Sequence, residues 1–168
     1  MEKHPIQYQT VRFNLNGRDV ERTVDVRASL TDMLRNDFRM TSVKKGCEVG
    51  ECGACTVLID GETFNSCIYL AVWAQGKQIR TLEGVLGPDG ELSDVQRAFV
   101  EEAAIQCGFC TPGFILTAEE ILESGEEYTD GQLRKLLSGH LCRCTGYENI
   151  LRAVKKAMYR RLGREAPQ

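Results

Sequence analysis

Nothing in these 168 residues approaches the ~20 consecutive apolar residues that a membrane-spanning helix needs. The opening stretch Met1-Glu2-Lys3-His4-Pro5 carries no apolar h-region, and no Arg-Arg pair precedes a hydrophobic segment. Neither a secretory nor a twin-arginine signal is therefore legible, and the cytoplasm is the expected compartment. The net charge of −3 excludes a general affinity for nucleic acid. Histidine is scarce: His4 lies near the terminus and His140 adjoins Cys142 at a helix end. No Ser/His/Asp arrangement, G-x-G-x-x-G turn or prominent carboxylate pair is present. Bond-making chemistry on an organic substrate is not expected from this chain alone. Internal repeats and low-complexity segments are absent as well.

Cysteine is abundant. Eight residues fall into two quartets with none left over: Cys47-x4-Cys52-x2-Cys55-x11-Cys67 and Cys107-x2-Cys110-x31-Cys142-x-Cys144. In a reducing compartment such a set argues for metal rather than disulfides. The first spacing is that of a plant-type [2Fe–2S] site. Thiolates are soft, anionic ligands suited to iron–sulfur clusters. Three ligands from one nine-residue loop require tight turns, and Gly46, Gly50 and Gly53 are placed to supply them. Lys44 and Lys45 precede that loop and read as ordinary exposed lysines or as a counter-charge. Two cysteines at i, i+2 on a strand would face opposite ways, so residues 142–144 must form a turn, bracketed by Gly139 and Gly146. A zinc ribbon would show C-x2-C pairs ~15–20 residues apart. The C-x-C pair and the gap of 31 fit that poorly.

The rest of the chain reads as an α+β protein. Residues 6–15 and 20–26 alternate around Asn16-Gly17, a hairpin. Leu30, Met33, Leu34 and Phe38 form one helix face, with Ser29 as N-cap. Strands are expected at 56–59, near 63–70 (carrying or flanking Cys67) and at 77–82. Residues 84–90 (GVLGPDG) read as a linker, dividing a first domain (1–83) from a helical one (91–168). In the second, Ser93-x-x-Gln96 and Thr129-x-x-Gln132 are capping boxes. Thr111-Pro112 reads as an N-cap followed by a first-turn proline. Leu133, Leu136 and Leu137 would face the core, and a last helix starts near Tyr147. Charge is segregated: residues 83–127 hold eleven acidic residues against Arg97, and residues 151–168 hold six basic ones against Glu165. These runs read either as solvated helix faces or as a basic tail that docks on a partner.

The stretches KGCEVGECGACTVLIDGE (45–62), Cys67, QCGFCTPGF (106–114) and GHLCRCTGYE (139–148) together resemble the two-cluster iron–sulfur subunit of the molybdenum hydroxylases. The likeness runs from about residue 8 to 160 and no cysteine is missing. It implies a plant-ferredoxin-like β-grasp domain followed by an all-α four-helix-bundle domain. It also implies two [2Fe–2S] clusters, with the molybdenum–pterin cofactor on a large partner subunit and FAD on a medium one, often as a dimer of heterotrimers. Gln106 matches the glutamine that hydrogen-bonds the pterin, and Cys144 the ligand that also touches it. Electrons would pass from molybdenum through the second quartet and then the first to FAD. The segment CIYLAVWAQGKQIRTLEG (67–84) resembles bacterial xanthine dehydrogenase subunits, with nicotinate, aldehyde and carbon monoxide dehydrogenases as alternatives. A free-standing two-cluster ferredoxin and a zinc-stabilised module are the competing classes.

Overall fold

A computed structural model describes residues 5, 7–87 and 89–165; Ile6 of the expected first strand, His4 and Pro88 of the linker lie outside the described residues. The chain opens as the hairpin expected. Strands β1 (Tyr8–Leu15) and β2 (Arg18–Asp25) pair antiparallel, with Leu15 opposite Arg18. Asn16 (φ 52) and Gly17 (φ 82) both adopt positive φ, as a two-residue type I′ turn requires. Alternation along β1 places Val11, Phe13 and Leu15 in the core.

Helix α1 (Leu30–Asn36) starts where Ser29 Oγ accepts the Asp32 N–H at 3.1 Å. It stops short of Phe38, contrary to the four-residue stripe read from sequence. Asp37 N–H closes the last turn on the Met33 carbonyl, and Arg39 then turns the chain in the left-handed region (φ 59). Phe38 still reaches the core from beyond the helix, edge-on to Phe13 with ring centroids 5.5 Å apart. Strands β3 (Thr56–Ile59), β4 (Glu62–Asn65) and β5 (Gln78–Arg80) complete a five-stranded sheet of order β2-β1-β5-β3-β4. The β1–β5 pair is parallel and the others antiparallel, so the sheet is mixed.

The following half carries α2 (Asp94–Glu101), α3 (Thr111–Glu123), α4 (Asp130–Leu136) and α5 (Glu148–Arg161). Both capping boxes form: the Ser93 and Thr129 hydroxyls accept the third residue's N–H, and the Gln96 and Gln132 side chains reach back. Helix α3 begins one residue earlier than its Thr-Pro signal suggests. The Cys110 carbonyl accepts the Phe114 N–H at 3.3 Å, so Cys110 is the cap and Thr111 lies inside the first turn. Helix α4 is seven residues long. Leu133 and Leu137, a turn apart, are buried, whereas Leu136 is 44% exposed because it falls on the outer side.

Two cores result, and β3 belongs to both. Val57 and Ile59 join Val11, Leu30 and Leu34 in the sheet core, while Leu58 joins Phe99, Phe114 and Leu133 in the helical core. All four β3 residues are buried because helix α3 covers the face that an edge sheet would otherwise show to water. The period-two alternation of a strand thus serves two partners at once.

The two charge runs face each other and are for the most part solvated. The basic residues of α5, and Arg164 just beyond it, pair within the molecule. Lys156 meets Glu101 and Glu102 at 3.0 and 2.6 Å, Arg160 meets Glu101 at 2.5 Å, and Arg164 meets Glu127. Lys155 reaches Asp130 at 2.8 Å. Exposed pairs of this kind are each worth about 0–1 kcal/mol. Arg161 with Glu119 differs, because the Glu119 side chain is only 5% exposed and also accepts a hydrogen bond from Ser93 Oγ at 2.8 Å. Among the described residues no helix is long and apolar enough to cross a membrane.

Leu58→Ala tests the shared strand. Deleting this 1% exposed side chain should cost roughly 2–5 kcal/mol, read as a lower denaturation midpoint by circular dichroism. An unchanged midpoint would mean that β3 does not support the helical core.

Candidate iron–sulfur sites

The first cysteine loop is tied off by the Lys44 N–H on the Ala54 carbonyl at 3.0 Å. Between them the backbone turns through positive φ at Glu48 (58°), Gly50 (84°) and Gly53 (68°). The turning directs three backbone N–H groups, from Val49, Glu51 and Cys52, at Cys47 Sγ over 3.5, 3.3 and 3.4 Å. Gly46 serves space rather than φ, since a Cβ there would sit 2.8 Å from Cys52 Sγ. Asn65 Nδ2 holds the Gly50 carbonyl at 2.8 Å. Below, the Ser66 hydroxyl donates to the Cys55 carbonyl at 2.6 Å and is itself bonded to Thr31 Oγ1 at 2.6 Å. Cys67 lies two residues past β4. Lys45 bridges Asp32 (3.0 Å) and Glu48 (2.9 Å), which fastens the loop to α1.

The second quartet gathers at helix ends. Cys110 caps α3, Cys107 precedes it, and Cys142 and Cys144 sit in the turn between α4 and α5. Cys144 Sγ lies 3.6 Å from Cys107 Sγ, and both residues are exposed. Cys110 is buried in the helical core, with half-buried Cys142 packed against it. Cys142 Sγ receives the Thr145 N–H at 3.5 Å and lies 3.1 Å from Thr145 Oγ1. Gln106 is exposed beside Cys107.

The two loops touch. Leu141 N–H donates to the Cys52 carbonyl at 3.1 Å, one residue from Cys142. His140, 7% exposed, fills the junction: its Nε2 lies 3.2 Å from both Thr56 Oγ1 and Thr117 Oγ1, and its ring stacks on Phe114 with centroids 4.8 Å apart. Burial pushes its pKa down to about 4, against the pull of the Leu137 backbone, so the ring is neutral. The surrounding backbones are too close for side chains. A Cβ on Gly53 would lie 2.5 Å from the Gly139 oxygen, and one on Gly113 would lie 2.5 Å from the Gly53 oxygen.

The thiols come in close pairs. Cys107 and Cys144 are the pair whose sulfurs lie within hydrogen-bonding distance, while Cys52 influences the ionisation of Cys47, Cys67 that of Cys55 and Cys142 that of Cys110. Among the described residues no three His, Cys, Asp or Glu side chains converge on one metal-sized point. Two pairs per site suit a unit of two irons with two thiolates each better than a tetrahedral ion, which needs all four ligands around one centre. Protonation differs from thiol to thiol. Backbone N–H groups, Val49 first, lower Cys47 to about 6. Burial raises Cys55 to about 11 and Cys110 to about 12. Burial also acts against the Cys142 thiolate, but the Thr145 hydroxyl and backbone outweigh it and the thiol is lowered. A buried thiol that resists ionisation is stabilised as a thiolate by bound metal.

The chain resembles known proteins over nearly its whole length. A family model described as "2Fe-2S iron-sulfur cluster binding domain" matches residues 13–80, and one described as "[2Fe-2S] binding domain" matches residues 81–155. The nicotine 6-hydroxylase small subunit of Paenarthrobacter nicotinovorans is 49% identical over 147 residues, covering 88% of each chain. The xanthine dehydrogenase iron-sulfur-binding subunit of Escherichia coli O157:H7 is 47% identical, over 86% of this chain and 91% of that one. The chain belongs to the iron–sulfur small subunits of the molybdenum hydroxylases. The crystal structure of quinoline 2-oxidoreductase from Pseudomonas putida 86 superposes with a TM-score of 0.86 at 41% identity, over 90% of this chain and 94% of that one. As a member of this family the chain is an iron–sulfur subunit of an oxidoreductase with two [2Fe–2S]-binding domains, in a mixed α/β, ferredoxin-like fold.

For this small subunit, the sequence reading singled out the eight cysteines and Gln106 but not their supports. Thr31, Thr56, Ser66, Thr117 and Tyr147 carry no spacing signal. His140, which the sequence places only at a helix end beside Cys142, is the buried centre of the junction. Its place two residues before Cys142 was the available clue.

Two helical glycines test the junction. Gly113→Ala should drive the Gly53 backbone away and lower iron content at both sites. Gly131→Ala in α4, where a Cβ meets nothing within 4 Å, should raise stability by about 0.5–1 kcal/mol. Iron assay and thermal melts of both variants decide; full iron loading in Gly113→Ala would refute the close-packed junction.

Proposed function

We propose that Cys47, Cys52, Cys55 and Cys67 hold one [2Fe–2S] cluster, that Cys107, Cys110, Cys142 and Cys144 hold the second, and that the chain relays single electrons between two partner subunits. The observation that carries this reading is the direct hydrogen bond from Leu141 N–H to the Cys52 carbonyl, which joins a ligand loop of one quartet to that of the other. Bound there, the clusters supply one-electron transfer between a molybdenum–pterin centre and FAD. The residues give the relay its direction. Cys107 and Cys144 face outward beside exposed Gln106, which suits contact with a pterin on a large subunit. Cys110 lies in the helical core with Cys142 packed against it, and Leu141, next to Cys142, bonds the loop of the first quartet.

Ile105, Phe109 and Leu141, each more than a third exposed, lie within two residues of a cysteine of the second quartet. Exposed apolar side chains beside a redox site favour a standing subunit over a free-standing ferredoxin. We read the partners as a large molybdenum subunit and a medium FAD subunit, assembled as a dimer of heterotrimers. Eight free thiols support a cytoplasmic setting. We read the sheet half (1–83) as a β-grasp domain, 84–90 as the linker and 91–168 as a four-helix bundle; two cores, joined through Leu58, support the division. The three relatives described above act by name on nicotine, xanthine and quinoline, and other relatives on aldehydes. Nicotine, xanthine and quinoline are all nitrogen heteroaromatics, and we read the substrate class accordingly. Xanthine, favoured by the sequence, is one member of that class and is matched no better than nicotine.

Anaerobic purification with native partners tests the relay. The expected result is two distinct [2Fe–2S] EPR signals after dithionite, two irons per quartet, co-purifying molybdenum, and bleaching by a nitrogen heteroaromatic substrate. Cys47→Ser and Cys107→Ser should each alter one signal and spare the other. Iron without molybdenum in a monomer would favour the ferredoxin; zinc with no signal would overturn both.

A further inference from the structure

Tyr147 is the residue of the second site whose backbone conformation the cysteine ligands do not explain. With φ 70 it lies in the left-handed region, directly after Gly146 at φ 67. A bulky aromatic residue holds that conformation only against a conformational cost. Its side chain and its backbone both act on the turn that carries Cys142. The Tyr147 hydroxyl accepts the Cys142 N–H at 2.9 Å, and its ring packs edge-on to Phe114 with centroids 6.3 Å apart. The Tyr147 N–H donates to Thr145 Oγ1 at 3.2 Å.

That last bond fixes what the Thr145 hydroxyl can do. Its oxygen is occupied by the Tyr147 N–H, and its proton is free to point at Cys142 Sγ, 3.1 Å away. A sulfur bound to iron carries no proton, so Cys142 can only accept. The Thr145 N–H reaches the same sulfur at 3.5 Å. Among the described residues, this is the one hydroxyl that bonds a candidate ligand sulfur; Cys47 receives backbone N–H groups only. One-electron reduction leaves the cluster and its thiolates more negative. Donors aimed at a ligand sulfur therefore stabilise the reduced form more than the oxidised one and raise the reduction potential.

We propose that Thr145, oriented by the left-handed Tyr147, is a positioning residue that holds the reduction potential of the second cluster above the value its thiolates alone would give. This rests on the ligand set proposed above. The consequence is directional: the cluster beside the pterin becomes the readier electron acceptor without any change of ligand.

The test is an EPR-monitored redox titration of the purified complex, with dithionite and ferricyanide, following both cluster signals. The second signal is the one that Cys107→Ser alters. Thr145→Val removes the hydroxyl and keeps the shape; Thr145→Ser keeps the hydroxyl. The expected result is a lower midpoint potential for the second signal in Thr145→Val, the parent midpoint in Thr145→Ser, and an unmoved first signal in both. If Thr145→Val fails to load iron, Thr145→Ala carries the same comparison with less bulk. An unshifted second signal in the loaded hydroxyl-free variant, or an equal shift in Thr145→Ser, overturns the proposal. Absence of a second signal in the parent complex would instead refute the ligand assignment.

Discussion

The structure depends on one close approach, that of the first cysteine loop to the segment leading into Cys142. Three backbones meet there, at Gly53, Gly113 and Gly139, at separations that leave no room for a Cβ on the first two. His140 fills the remaining space, its Nε2 shared by Thr56 and Thr117. A buried polar ring is stable only with its partners in place, so one residue from the sheet and one from α3 are committed to a side chain of the second site. Because Leu141 donates to Cys52 from the next position, fixing His140 also fixes the spacing between the two thiol groups.

The rest of the fold supports that contact from both sides. Strand β3 gives one face to each core, and α3, buried on almost all sides, lies against it. Helix α5 then clasps α2, and its cations answer the acidic residues of α2 and α3. Most of those ion pairs are solvated and add little individually. Arg161 with Glu119 is the exception, because a buried carboxylate left without its cation would be costly.

Much of this was legible in the sequence for identifiable reasons. Asn16-Gly17 makes a hairpin by backbone chemistry alone, and both capping boxes formed because their donors and acceptors lie within one turn. The two [2Fe–2S]-binding domains were legible because cysteine number and spacing are written in the sequence. What failed was whatever depends on a distant partner. The charge runs could not be paired without knowing that α5 lies on α2. Leu136 looked apolar and inward, but a seven-residue helix buries only the two leucines a turn apart. His140, Thr56 and Thr117 are separated by up to 84 positions, and no local pattern announces such a meeting.

The shared strand has an evolutionary consequence. With Leu58 in the helical core and Thr56 bonded to His140, the two halves are not interchangeable modules. A chimera joining the sheet half of one relative to the helical half of another would have to carry residues 53, 56, 58, 113, 117 and 140 as a matched set. Variation at any one of them is constrained by the others, so this group should change together across descendants while the outer faces of β2 and α4 drift freely.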